Sequence, residues 1–250
     1  HLSVHSFPTR RSSDLAVIVF SAVFVHSAFG FGNALIMMPL LAPLIGIKTA
    51  APFVAFISTT VNVIVLVHKW KEADMRAAWH LIAGSVVGIP LGAYLLSSLS
   101  GSLMKSILGL LIILFSGYFL VRPHLPYLKK TGYGYLFGLV AGLLGGAYNT
   151  NGPPVVIYGT LRRWSPATFR ATLQGYFFPS GIVLLISHWS AGLWVKPIGR
   201  YYLCALPAVL AAVWLGGVVN EKIPPGKFDR YIYLFLICCG LYLIGQSLFQ

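Results

Sequence analysis

The chain has 250 residues, of which 57% are hydrophobic and 9% are charged, whereas soluble domains carry about 25% charged residues. A soluble protein of this length cannot bury so much apolar surface, so the composition indicates a polytopic membrane protein. The net charge of +13 comes from basic residues at the ends of apolar runs, where they anchor helices, so we expect no nucleic-acid partner.

The apolar runs lack the alternation of barrel strands, so we predict an all-α bundle of membrane helices. All five carboxylates flank these runs, which argues against an Asp/Glu proton relay and against a membrane enzyme that binds Mg²⁺ through paired carboxylates. The three cysteines lie inside apolar runs and suggest neither disulfides nor metal ligands. We therefore expect no cofactor, no metal and no catalytic residues.

Residues 1–14 differ from the rest of the chain. They resemble translated sequencing-adapter sequence, and we expect this segment to be non-native or disordered. The apolar runs begin abruptly at Leu15. In chain order they cover residues 15–29, 33–47, 49–67, 77–97, 103–121, 133–147, 153–161, 167–188, 197–219 and 228–249.

Two glycine-rich breaks interrupt the apolar sequence. The first contains Gly30, Gly32 and Asn33, and the second runs from Gly145 to Pro154. Glycine and proline break helices, and in a bilayer a break is tolerated only where protein or a water-filled cavity covers the freed backbone groups. Each broken segment is either one kinked crossing or an in-and-back hairpin. An unbroken helix from 15 to 47 would be about 50 Å long, too long for a hydrocarbon core of about 30 Å.

An internal repeat with a separation of about 120 residues divides the chain. Gly32 corresponds to Gly152, and His68 corresponds to His188. We predict a first membrane repeat at 15–121, a linker at 122–132 and a second repeat at 133–250.

Basic residues distinguish the two topologies. If each broken segment crosses once, the 16 basic residues after residue 14 divide eight to eight between the two sides. If each is a hairpin, the halves become inverted repeats and the division is twelve to four. The hairpin topology fits the positive-inside rule better and places both termini outside.

The breaks are the candidate binding site. A helix that begins after Gly152 has free N–H groups and the positive end of its dipole there, and Asn33, Asn149 and Asn151 add amide donors. If the two breaks face each other, they form a neutral, donor-rich pocket that prefers an anion. The alternative is that the glycines only let helices pack closely.

Further polar residues lie inside the spans after the breaks. Asn62 and Gln174 are site candidates, because a bulky amide needs partners, whereas the serines and threonines nearby fit helix–helix hydrogen bonds. Arg170 either extends to the membrane interface or meets the anion at the pocket mouth. A buried, satisfied His26 is favoured over a proton carrier. The predicted substrate-binding set is Gly30, Gly32, Asn33, Asn62, Asn149, Asn151, Gly152, Gln174 and Arg170.

These features resemble the TauE/SafE family of sulfite and organosulfonate exporters over residues 15 to 250. The matching positions are Gly30, Gly32, Pro39, Leu41, Ala50-Ala51, Ser58-Thr59-Thr60, Gly84, Gly88, Gly92, Gly142, Gly145, Gly146, Gly152-Pro153 and Arg170-Ala171-Thr172. Asn33 and Asn149-Thr150-Asn151 stand where the family often has further glycines. The resemblance implies anion transport across a bacterial cytoplasmic membrane.

We therefore expect a secondary transporter or facilitator, acting mainly in export, whose partners are a small inorganic or organic anion and the lipid bilayer. Any proton coupling would use His26 or the protonation of the substrate itself. The alternatives are a non-transporting scaffold and, least favoured, a membrane-embedded enzyme. The oligomeric state is open, with a homo-oligomer as one alternative.

Overall fold

The computed structural model describes residues 9–29, 32–69, 75–121, 127–220 and 229–248. These residues form ten helices, and no strand occurs among them. The helices are α1 Thr9–Phe29, α2 Asn33–Ile45, α3 Ile47–Lys69, α4 Met75–Ser98, α5 Gly101–Val121, α6 Tyr133–Tyr148, α7 Gly152–Leu161, α8 Pro166–Ser190, α9 Pro197–Asn220 and α10 Asp229–Leu248.

The all-α prediction is confirmed, and each predicted apolar run coincides with one helix to within a few residues, apart from the start of α1. Four described segments are long and apolar enough to cross a membrane: Ile47–Val67, Ala78–Ser98, Gly101–Val121 and Pro197–Val219. Helix α1 begins at Thr9, inside the segment for which we expected disorder. Residues 1–8 lie outside the described residues, and the non-native origin of this segment stays a prediction.

The second broken segment doubles back on itself. The Leu128 amide donates to the Leu161 carbonyl at 3.0 Å, so the chain before α6 lies beside the end of α7. The Arg162 guanidinium donates to the Leu128 and Lys129 carbonyls at 2.9 and 2.6 Å. Farther along, the Phe137 and Tyr158 rings lie 5.3 Å apart. Helices α6 and α7 therefore form an in-and-back hairpin.

The contact between α5 and α10 also agrees with a hairpin formed by α6 and α7. The Ser102 hydroxyl, at the start of α5, donates to the Ser247 carbonyl at the end of α10 at 2.9 Å, so the two helices are antiparallel. A single crossing by the broken segment would make them parallel. In the first half, α2 packs against α1. The internal repeat, the inverted symmetry and the cytoplasmic side stay predictions.

Two helices beside the second break pack through glycines. Gly84, Gly88 and Gly92 of α4 face the α6 backbone, and Gly138, Gly142 and Gly146 of α6 face the α4 backbone. A Cβ atom on Gly88 would overlap the Leu139 carbonyl oxygen. Small residues at this spacing let two membrane helices approach to backbone contact. The α4–α6 pair thus holds the second break in place.

Candidate functional site: a polar cavity between the two breaks

The two glycine-rich breaks meet at one small cavity of about 30 Å³. Residues from both breaks line it, together with residues of α1, α3 and α8. The lining consists of His26, Gly32, Asn33, Ala34, Leu35, Ser58, Thr59, Asn62, Asn149, Thr150, Asn151, Gly152, Pro153, Phe177 and Gly181. None of these residues carries a formal charge when His26 is neutral.

Both breaks depend on a residue with positive φ. Gly32 precedes α2 with φ 101°, and Asn149 ends α6 with φ 57°. Glycine adopts such angles without a steric penalty, and asparagine tolerates the left-handed region better than most residues. The Asn149 amide closes α6 by donating to the Gly145 carbonyl at 2.6 Å. This geometry turns the chain at Asn149 and leaves its side chain at the cavity.

Ser58 of α3 joins the two breaks. Its hydroxyl oxygen accepts a hydrogen bond from Asn33 Nδ2 at 2.9 Å and another from Asn149 Nδ2 at 2.7 Å. All three residues are buried. Each amide nitrogen uses one hydrogen for Ser58 and keeps a second, because a primary amide has two donors. The bridge fixes two amide groups from opposite halves of the chain at one point of the cavity wall.

The helix starts contribute differently. The Asn33 side-chain oxygen accepts from the Ala34 amide at 2.8 Å, which satisfies one of the free N–H groups of α2. Helix α7 begins Gly152-Pro153-Pro154, and its prolines have no N–H to offer. The first turn of α7 therefore presents the Gly152 N–H and the helix dipole, and the first turn of α2 keeps more backbone donors.

Two buried polar atoms at the cavity have no partner in the described structure. They are Nδ1 of His26, on a side chain that is 4% exposed, and Oδ1 of Asn62, on one that is 6% exposed. The His26 ring also contacts the Asn33 side chain. Buried polar groups in folded proteins are nearly always hydrogen-bonded, so each unpaired atom indicates a place for a water molecule or a ligand.

The far wall is formed by α8 and by a tyrosine behind Asn151. A Cβ atom on Gly181 would lie 3.0 Å from Thr59 Oγ1, so α8 touches α3 here. The Tyr176 hydroxyl, fully buried, lies 2.8 Å from Ser85 Oγ and also contacts Asn151. Ser85 in turn donates to the Gly138 carbonyl at 2.7 Å. Asn151 is thereby tied to the α4–α6 pair.

Six of the nine predicted site residues line this cavity: Gly32, Asn33, Asn62, Asn149, Asn151 and Gly152. Gly30 lies outside the described residues. Arg170 and Gln174 belong to α8, but their side chains are not among those described. That the six residues bind a substrate stays a prediction.

Nine lining residues are not in the predicted set: His26, Ala34, Leu35, Ser58, Thr59, Thr150, Pro153, Phe177 and Gly181. Ser58 and Thr59 were visible as a polar run, but helix packing explained them equally well. Only the structure, in which α3 passes between the two breaks, shows that Ser58 and Thr59 line the cavity as well as pack against neighbouring helices. The sequence singles out His26 as a histidine inside an apolar run, but its place at the cavity wall depends on how α1 packs beside the breaks.

An apolar groove of about 430 Å³ adjoins the polar cavity, between α5 and the α6–α7 hairpin. Leu35, Thr150 and Pro153 line both spaces. The groove is otherwise formed by leucine, isoleucine, valine, proline and aromatic side chains. These three residues therefore form the wall between the polar cavity and the apolar groove.

Comparison with known proteins identifies a family with these features. The sequence profile of the family described as sulfite exporter TauE/SafE matches residues 15–243. A curated relative, the probable sulfite/organosulfonate exporter TauE of Cupriavidus necator, is 26% identical over 241 residues, which cover 92% of this chain and 92% of the relative. The search of solved structures finds no match.

The fold, the apolar spans and the family match define a multi-pass helical membrane protein of a transporter class. The chain belongs to the sulfite exporter TauE/SafE family. This confirms the family recognised in the sequence, and it confirms the expectation of a transporter, because the family is one of exporters and not of enzymes.

Proposed function

We propose that this chain exports a small sulfur oxyanion, with sulfite as the favoured substrate, and that the cavity between the two breaks binds it. The observation that carries the proposal is the Asn33–Ser58–Asn149 bridge, which brings amide donors from both breaks to one buried point. The printed name of the Cupriavidus necator relative, a probable sulfite/organosulfonate exporter, supports the same substrate class.

The donors at the cavity fit an anion. Amide hydrogens of Asn33 and Asn149 and the dipoles of α2 and α7 provide partial positive charge without a formal charge. Among the residues that the structure describes, no carboxylate lines the cavity to repel an anion. Paired helix starts at the centre of a transporter are a recurrent way to bind a negative group.

The size of the cavity favours a compact ligand. A cavity of about 30 Å³ has room for about two water molecules, since each needs roughly 10–15 Å³ on this measure. A sulfite ion is about as wide as two water molecules side by side, whereas an organosulfonate with a carbon chain fits only if the cavity widens. We therefore place sulfite ahead of larger sulfonates as substrate, and the printed name of the relative favours both over carboxylates.

Export of an anion has an available driving force. A monoanion that leaves an inside-negative cell gains about 2.3 kcal/mol for each 100 mV of membrane potential. A neutral site suits this direction, because it binds the anion without trapping it by a fixed positive charge. The chain would act in the bacterial cytoplasmic membrane as a secondary transporter or facilitator.

Flux from liposomes tests the proposal. The purified protein is reconstituted, the vesicles are loaded with sulfite, sulfoacetate or acetate, and efflux is followed with and without an imposed potential. We expect sulfite efflux above that of empty liposomes, accelerated by a potential that drives anions outward, and slower efflux of sulfoacetate. Absence of flux for all three anions would overturn the proposal.

A matched pair of serine variants connects the flux to the cavity. Ser58→Ala removes the hydroxyl that holds both amides, and we expect a loss of about tenfold or more in sulfite efflux, since one polar contact is worth about 1–3 kcal/mol. Ser116→Ala is the control, because Ser116 is fully buried and lies outside the cavity lining. Equal flux from the two variants would place the substrate elsewhere.

A further inference from the structure

We propose that His26 is the proton-binding residue of the cavity, so that one proton is taken up together with each anion. The inference rests on the proposed function and names its coupling ion. A sulfite dianion that leaves with one proton still carries one negative charge outward, so the membrane potential still drives export. His26 lines the cavity from α1, four residues before the first break. It is the only titratable side chain among the described lining residues.

The geometry leaves His26 an open hydrogen-bonding position. Its Nδ1 atom is buried and has no partner among the described residues. The ring contacts Asn33, whose amide donates to Ser58, and Ser58 also accepts from Asn149. The imidazole therefore stands at one end of the polar chain that joins both breaks, and its Nδ1 atom has no hydrogen-bond partner among the described residues.

Charge balance explains why the proton and the anion bind together. A lone imidazolium in a buried cavity is costly, because it loses its hydration without gaining a counter-ion. A lone anion there has only partial charges to face it. When both are present, each is the counter-ion of the other, and the loaded site is neutral for a monoanion. Binding of either one therefore strengthens binding of the other by the same factor.

The surroundings of His26 offer no competing counter-charge in the described structure. The helices packed closely on α1 are α2 and α9. Helix α2 has no titratable residue, and α9 carries Arg200, Tyr201, Tyr202 and Cys204 in its first eight residues. Across the cavity, α3 has Lys48, His68 and Lys69 near its ends, with Ser58 and Asn62 between them. On α1 itself, Asp14 lies twelve positions before His26.

Methanesulfonate is the probe that reports proton binding by the protein alone. Its charge is constant between pH 5 and 8, so sulfite's change of protonation does not enter. Binding to the full chain in lipid nanodiscs is measured by calorimetry over this pH range. We expect affinity to increase as pH falls, by at most about tenfold for each pH unit, since one proton is linked. In weakly buffered solution, binding should take up as much as one proton per anion.

Two histidine variants give the comparison. His26→Gln keeps a polar side chain that does not titrate, and we expect pH-independent methanesulfonate binding and no proton uptake. His80→Gln is the control, because His80 lies on α4 against Tyr135 and outside the cavity lining. It should keep the pH dependence of the original protein.

The outcomes separate this inference from the proposed function. Absence of binding and flux for every anion at every pH would defeat the proposed function. Anion binding that is independent of pH in the original protein, or a pH dependence that persists in His26→Gln, would overturn proton coupling alone. The proton-uptake measurement uses the unaltered chain, so it decides the question even if His26→Gln does not fold.

Discussion

The α6–α7 segment is held by backbone contacts, whereas the α1–α2 segment is held by side chains. Glycines of α4 and α6 interlock so closely that a Cβ atom at any of six positions would meet backbone atoms of the other helix. Helix α1 packs on α9, and the two share a core of Val19, Ala22, Val23, Ala205, Val209 and Ala212. On α9, a Cβ atom on Gly199 or Gly217 would meet nothing within 4 Å.

The two segments also differ in chemistry. The first break adjoins His26 and starts a helix with more backbone donors, whereas the second starts with two prolines. Similar glycine-rich sequences therefore provide different parts of one candidate site. The second break is a fixed wall that positions Asn149 and Asn151, whereas the titratable group, His26, comes from α1 just before the first break.

The largest expected effect is the loss of the close packing between α4 and α6, which holds the second break in place. Gly88→Leu places side-chain atoms against the α6 backbone, where even a Cβ atom would lie 2.8 Å from Leu143 N. Overpacking of this kind costs about 3 kcal/mol or more, and we expect aggregation or a strongly lowered melting temperature. Gly217→Leu is the control on α9, and size-exclusion chromatography with thermal melts makes the comparison. Equal stability of the two variants would contradict the difference between the packing of α4 on α6 and that of α1 on α9.

The next prediction distinguishes the role of the Asn149 backbone conformation from the role of its side-chain amide. Asn149→Leu must hold a branched side chain at φ 57°, which costs about 1–2 kcal/mol, and it removes the amide. Asn149→Gly removes the amide but suits the angle. We expect both variants to lose sulfite flux by about tenfold, a contact worth about 1.4 kcal/mol, whereas only the leucine variant melts earlier. Normal flux in Asn149→Gly would remove this amide from the site.

Much of the fold followed from the sequence, because apolar runs bounded by glycine, proline and charge define membrane helices almost residue by residue. The asparagines at the breaks are predictable as lining residues because an amide beside a helix break can cap the helix or donate to a ligand, and both roles place it at the break. Ser58 and His26 were not found as site residues. Their roles depend on which helices pass the breaks in space, and one serine or histidine in an apolar run does not contain that information.

The smallest expected effects on stability and flux come from two matched variants, each of which loses one hydroxyl group. Tyr176→Phe removes the hydroxyl that lies 2.8 Å from Ser85 Oγ behind the second break. Thr60→Val removes the hydroxyl of α3 that lies 2.8 Å from the Tyr202 hydroxyl of α9. Each should lower stability by about 1 kcal/mol. Because Tyr176 also contacts Asn151, only Tyr176→Phe should slow sulfite flux as well, and flux assays beside melts make the distinction.

The most direct measurement is the position of a bound anion. Selenite has the pyramidal shape and charge of sulfite, and its selenium atom is located by anomalous diffraction from crystals of the full chain. We predict one selenium peak within contact distance of Asn33, Ser58 and Asn149, between the two breaks. A peak elsewhere, or an empty cavity under conditions in which the protein transports selenite, would contradict the account.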